Sequence, residues 1–192
     1  MEKQDRYKGE LSREQLIVAR NKIIDNAKSL YEEASLLYEN KKYARAYFLL
    51  CIANEELGKS IIVTSAIIDL IAETIDWNQF WKDFRNHKQK TRTIEHMENI
   101  FVSSDTNFTD PKEIQRLIPV LEEMKMASLY SDMLHTEFIV PNEFIPAFMV
   151  ASLHKLTAKR LDFIISTSVS DEALQSITKE KIMEFRDKFI VP

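Results

Sequence analysis

Glycine occurs only twice in this chain, proline five times and cysteine once. Sheets and linkers need many residues that let the backbone turn, so this scarcity favours long uninterrupted helices. The lone Cys51 leaves no partner for an internal disulfide, and the opening MEKQDRYKGELSREQ lacks the apolar stretch of a secretory signal. Both features lead us to expect a cytoplasmic protein. A bilayer span is not expected either: Ile61 to Ile71 is interrupted by Thr64, Ser65 and Asp69 and falls well short of the roughly 20 apolar residues that a crossing helix needs. Positive charge is not in excess, since the formal net charge is -4; any contact with nucleic acid would have to come from a local basic patch.

What is present reads as one folded domain over residues 1–192, with residues 1–11 as a flexible N-terminal tail. Hydrophobic residues make up 45% and charged ones 29%, an ordinary globular balance, and a chain of this length is served by one core. Ser12, with Gln15 three residues on, gives a capping box that starts a first helix running to about Asn40. Leu16, Ala19, Ile23, Ala27, Leu30, Ala34 and Leu37 form a single apolar stripe along it. A second helix from about Tyr43 to Ile75 would be roughly 45 Å long. It is apolar all round, which makes it the buried spine of the domain. A third helix follows from a cap at Asp76 through Phe101, and the stretch Ser103 to Thr109 reads as a loop. Asp110 and Pro111 open a fourth helix with Pro119 as a kink, Asn142 caps a fifth, and Ser170 begins a sixth. The expected fold is therefore all-α, a closed bundle of about five to six helices.

The second helix carries a polar collar, Asn54 to Ser60, in an otherwise apolar run. Burying Glu55, Glu56 or Lys59 without partners would cost several kcal/mol each, so the collar implies an internal set of charges. Gly58 costs about 1 kcal/mol relative to alanine inside a helix, which a closely crossing helix would offset. On the third helix His87 falls in line with Phe80, Phe84, Thr91 and Ile94. That line turns it inward among aromatics, with Lys90 one turn on. Asp132, with Tyr130 and His135 nearby, continues the line of Leu121, Lys125 and Ser128 from the fourth helix. Two readings of these residues stand side by side. One is a satisfied ionic network that fixes helix packing; the other is a site in which a histidine meets a glutamate and moves protons.

The chain has no phosphate-cradling glycine loop, no cysteine and histidine spacing for zinc, no serine elbow and no paired Glu-x-x-His for a di-metal centre. No cofactor or metal is expected. Lys82, Arg85, Lys88, Lys90 and Arg92 make one face of the third helix basic, suited either to RNA phosphates or to solubility. Arg92 and His96 lie on the outer side of that helix and read as solvated.

Tyr-Ala-Arg-Ala at 43 to 46, Glu-Glu-Leu-Gly-Lys at 55 to 59, Phe-Arg-Asn-His-Lys-Gln-Lys at 84 to 90 and Tyr-Ser-Asp at 130 to 132 together resemble the AbiV-type abortive-infection proteins. This bacterial phage-defence family belongs to the HEPN superfamily of small helical bundles, whose active members are dimeric ribonucleases and whose others bind nucleotides or regulate. The resemblance implies a HEPN-like bundle and a defence effector acting on RNA or the translation machinery. It further implies a homodimer, a phage protein as trigger, and a site built from Glu55, Glu56, Lys59, His87, Lys90, Tyr130 and Asp132. HEPN ribonucleases usually carry Arg, four to six residues, then His. Here Arg85 and His87 are closer than that, and Arg92 and His96 fall one residue short. The alternative is a non-enzymatic interaction or sensor module. Large residues at Trp77, Trp81 and Phe101 suggest more apolar surface than one small core can bury, which also leads us to expect a two-fold homodimer.

Overall fold

The computed structural model describes residues 6–101, 111–134, 136–167 and 169–189, and within them the side chains of all but residues 98–101, 111, 134 and 185–189. Among these residues the chain forms nine helices and one two-stranded hairpin: α1 (Arg13–Glu39), α2 (Tyr43–Ile71), α3 (Trp77–Arg85), α4 (His87–Phe101), α5 (Pro111–Ala127), β1 (Asp132–Leu134), β2 (Glu137–Ile139), α6 (Pro141–Phe144), α7 (Ala147–Thr167), α8 (Asp171–Ser176) and α9 (Lys179–Phe189). The fold is an all-α bundle with almost no sheet. The expected loop over 103–109, the cap at Asp110 and His135 lie outside the described residues.

The capping box at Ser12 forms as expected, its hydroxyl accepting from Gln15 N while the Gln15 side chain accepts from Ser12 N. Lys41, at φ 58°, turns the chain between α1 and α2. These two long helices pack side by side, and α2 also meets α4 and α7, so its residues point into protein on three sides. That explains why it is apolar all round. Leu50, Leu57, Val63 and Ile67 are completely buried along it.

Three boundaries differ from the sequence reading. Helix α2 stops at Ile71 rather than Ile75, because Glu73 adopts a left-handed φ of 60°. The expected third helix is two: Asn86 is extended, with φ -85° and ψ 113°, and its side chain accepts from Gln89 N to start α4. Asn142 caps nothing, since it sits inside the single turn of α6, and α7 begins at Ala147 after Pro146. Ser170 caps α8 as expected, and the extra helices come from this break, from the short α6 and from α9.

Residues 7–11, expected as a loose tail, lie against the bundle. Trp81 Nε1 donates to Gly9 O at 2.9 Å, the Tyr7 ring meets Trp81 edge-on at 5.8 Å, and Leu11 packs on the core. Trp77 and Trp81 are partly buried against Phe80 and Phe84, so they do not offer the free apolar surface anticipated for a dimer; the side chain of Phe101 lies outside the described residues. The prominent exposed hydrophobics are instead Tyr130, Met133, Phe138 and Phe148, each at least 60% exposed, around the hairpin and the start of α7.

Candidate functional site

Glu55 is the centre of the polar collar. It is 3% exposed, in a place where an unpaired carboxylate would be strongly unfavourable. Its partners come from two neighbouring helices. Lys125 of α5 places Nζ 2.5 Å from Glu55 Oε1 and 2.8 Å from Glu122 Oε2, while Lys90 of α4 stands 3.4 Å from Oε2. His87, the first residue of α4, brings Nδ1 to 2.5 Å from the same Oε2.

Gly58 makes this convergence possible. A Cβ on Gly58 would come within 2.8 Å of the carbonyl carbon of Lys90 and closer still to its oxygen. The absence of a side chain lets α4 lie against α2 one turn away from Glu55. The crossing helix read from Gly58 is thus present. The Asn86 break then positions His87: α4 starts at the crossing, so the imidazole projects from a helix end and is not enclosed by the aromatic line. Its side chain is 63% exposed, which corrects the inward placement among aromatics.

The electrostatics follow from burial and pairing. Burial alone would raise the Glu55 carboxyl pKa, but hydrogen bonds from Lys125 and His87 outweigh it and hold it below the ordinary carboxylate value. Burial would lower Lys125, whereas the hydrogen bonds it donates to Glu122 and Glu55 raise it. Behind the cluster lies a cavity of about 50 Å³ touching Tyr47, Cys51, Glu55, Glu122 and Lys125. It has room for a water but not for a substrate. Burial raises the Tyr47 hydroxyl and pushes the Cys51 thiol up to about 12, so neither is a ready nucleophile.

The seven residues singled out from sequence do not all meet. Glu55, His87 and Lys90 form the cluster. Glu56 and Lys59 pair with each other, and Lys59 Nζ stands over the Phe84 ring at 5.4 Å; the glutamate that meets His87 is Glu55. Tyr130 is 60% exposed, and Asp132 is an exposed strand residue whose carboxylate accepts from Met133 N. Both lie apart from Glu55, because α5 ends at Ala127 and the chain leaves the helical line. Lys125 and Glu122 complete the cluster and were not anticipated as members; an i,i+3 Glu and Lys pair on an amphipathic helix usually reads as solvated surface. A second buried network was also missed. Arg160 of α7 donates to Asn54 Oδ1 at 2.8 Å and pairs with Glu95 at 2.9 Å, and Asn54 donates to Thr157 at 2.8 Å. Among the described residues, no group of three or more histidine, cysteine, aspartate or glutamate side chains could hold a metal ion, and no helix is long and apolar enough to cross a membrane.

The all-helical bundle is consistent with a HEPN-like fold. The family model described as AbiV matches residues 15–162, a span that contains the whole Glu55 cluster and most of α7, and the chain belongs to this AbiV-type HEPN family. Membership points to abortive-infection phage defence. No curated protein and no solved structure matches the chain.

Proposed function

We propose that this protein is an abortive-infection effector that acts on RNA or the translation machinery, with His87 as its proton carrier. The observation that supports this reading is the pairing of an exposed imidazole with a buried carboxylate. A carboxylate only accepts, so Nδ1 donates to Glu55, and a neutral ring then presents Nε2 as a base on its exposed side. Glu55 orients the ring and stabilises the imidazolium that forms when Nε2 takes a proton, for example from a ribose hydroxyl.

Lys90 and Lys59 are committed to Glu55 and Glu56. Positive charge for a phosphate comes instead from the exposed Lys88 and the partly exposed Arg85 on either side of His87. We include in the proposal a two-fold homodimer and a phage component as trigger. The exposed Tyr130, Met133, Phe138 and Phe148 are the surface on which self-association would bury apolar area.

A second reading has its own support. Glu55, Glu122, Lys90 and Lys125 balance two negative charges with two positive ones without His87, as a network that only fixes helix packing would. Together with the short Arg to His spacing, this favours a non-enzymatic interaction module. Cellular RNA incubated with purified wild type and with His87→Ala separates the two. The effector reading expects RNA damage and phage protection from the wild type, both abolished in the variant, with little change in melting temperature. A variant that still protects cells whenever it is folded would remove His87 from the chemistry.

A further inference from the structure

The two oxygens of Glu55 are divided between helices. Oε2 accepts from the His87 ring and lies 3.4 Å from Lys90, both on α4. Oε1 accepts at 2.5 Å from Lys125, which comes from α5 and is itself buried, although burying an ammonium group is costly. Lys125 also holds Glu122 at 2.8 Å, and Glu122 in turn accepts from Thr91 of α4 at 3.4 Å. The contacts thus run from α5 to the carboxylate that meets His87 and back to the helix that carries it.

This arrangement has a consequence for charge. An imidazole beside a lone buried carboxylate would be drawn into an ion pair and keep its second proton. Such an imidazolium donates from both nitrogens and has no lone pair with which to act as a base. Here Lys90 and Lys125 oppose the two negative charges of Glu55 and Glu122, so the ring meets a cluster without net charge. The neighbouring charges do not upset that balance. Glu56 and Lys59 pair with each other on α2, Arg85 at the end of α3 lies over the Trp81 ring at 4.8 Å, and Lys88 is exposed on α4.

We infer that Lys125 is a positioning residue of the His87 site, which turns Glu55 Oε2 toward Nδ1 and, by offsetting the carboxylate charge, leaves the ring neutral with Nε2 able to accept. Glu122 acts in the opposite sense, since it draws on the charge of Lys125. The balance that suits a packing network is also what keeps this ring a base. Its use as a base rests on the reading of His87 as proton carrier, whereas control of the ring's charge from α5 does not.

Magnetic resonance titration of the histidine rings in the full chain tests this, with His87 identified by the signal missing from His87→Ala. In Lys125→Met the cluster loses a cation, and the ring is expected to take up its proton at higher pH than in the wild type. In Glu122→Gln it loses an acid, and the ring is expected to protonate at lower pH. Because the His87 side chain is 63% exposed, solvent screens the size of both displacements but not their signs. Opposite displacements report charge, and a general loosening of packing would not produce them. Lys125→Met is the more disruptive change; if it does not fold, Glu122→Gln, at a partly exposed side chain, decides alone. A protonation midpoint unmoved in either folded variant, or moved in the direction opposite to that stated, would overturn the assignment. RNA assays on the same proteins answer the separate question. A wild type that leaves RNA intact while both titrations move as stated would remove the proton-carrier reading and keep the control from α5; an active wild type whose ring is indifferent to Lys125 and Glu122 would do the reverse. Where RNA is cleaved, the acid limb of the activity should move to higher pH in Lys125→Met.

Discussion

Placing a single methyl group at Gly58 tests the crossing on which the whole cluster depends. Glycine to alanine in a helix interior gains about 1 kcal/mol from propensity alone, so an ordinary helical glycine is improved by this change. At Gly58 the added carbon would stand 2.8 Å from the Lys90 carbonyl carbon and 3.3 Å from its Cα, atoms of a helix backbone that cannot rotate away. Real side chains do not tolerate such approaches, and α4 must move outward by a substantial fraction of an ångström. Overpacking of this kind costs typically about 1 to 3 kcal/mol. After the propensity gain, we expect Gly58→Ala to lose up to about 2 kcal/mol and Gly58→Leu to lose more. For a chain of this size each kcal/mol lowers the melting temperature by about 2 to 4 °C. Thermal and urea unfolding of the two variants beside the wild type measures the loss. A Gly58→Ala protein more stable than the wild type by the full propensity gain of about 1 kcal/mol would refute the close crossing and with it the account of how His87 and Lys90 reach Glu55.

Lys125→Met removes the cation closest to Glu55 and takes the ion pair from Glu122, which keeps only its hydrogen bond from Thr91. Breaking a buried pair in this way is expected to destabilise by about 3 kcal/mol, and an unchanged urea midpoint would mean that Lys90 and His87 suffice to hold the carboxylate. Because the native state holds the Glu55 carboxyl below its ordinary value, the stability from this group is complete above about pH 4.3 and is lost as pH falls through the native pKa. Lys125 is raised, so its contribution persists up to about pH 10.4 and fades above that. Urea midpoints measured from pH 7 downward should therefore fall more steeply below about pH 4.3 in the wild type than in Glu55→Gln; parallel curves would show that other carboxylates dominate the acid limb. Cys51, with its thiol pushed up to about 12, should react far more slowly with a thiol reagent at pH 8 in the native protein than after denaturation, and equally prompt labelling of the two would contradict the raised value.

The sequence made some of this legible for reasons that can be stated residue by residue. Glu55 could be read as interior because apolar residues surround it on every side of α2, which leaves a charged side chain no exposed face. Gly58 implied a crossing because nothing else offsets its cost. The capping oxygens of Ser12, Asp76 and Ser170 fixed helix starts, since each is followed by backbone N–H groups without intrahelical partners. The break at Asn86 was not read, because neither glycine nor proline marks it, although Asn86 and Gln89 have the spacing of a helix start. Lys125 is not legible as interior, because a lysine one turn from a glutamate on an amphipathic helix looks solvated; only the approach of Glu55 from another helix makes it interior. Tyr130 and Asp132 were drawn inward by extending a helical line past Ala127, where the helix has already ended. The partners of Arg160 are about a hundred residues distant for Asn54, and no local pattern encodes such a meeting.

Both tryptophans of this chain, Trp77 and Trp81, belong to α3, a helix of only nine residues. The N-terminal segment of residues 7–9 covers one of them, with Tyr7 and Gly9 against the indole of Trp81. Intrinsic fluorescence is therefore a local optical reporter of that corner, whereas far-ultraviolet dichroism averages over all the helices. If the corner opens on its own, the fluorescence transition will precede the dichroic one, and the molecule will look less stable to one spectrometer than to the other. A fusion or truncation at the N-terminus would alter the emission spectrum by exposing Trp81 to water, even with Glu55, His87 and Lys125 undisturbed, so a changed emission in such a protein speaks for α3 and its cover and not for the ionic cluster.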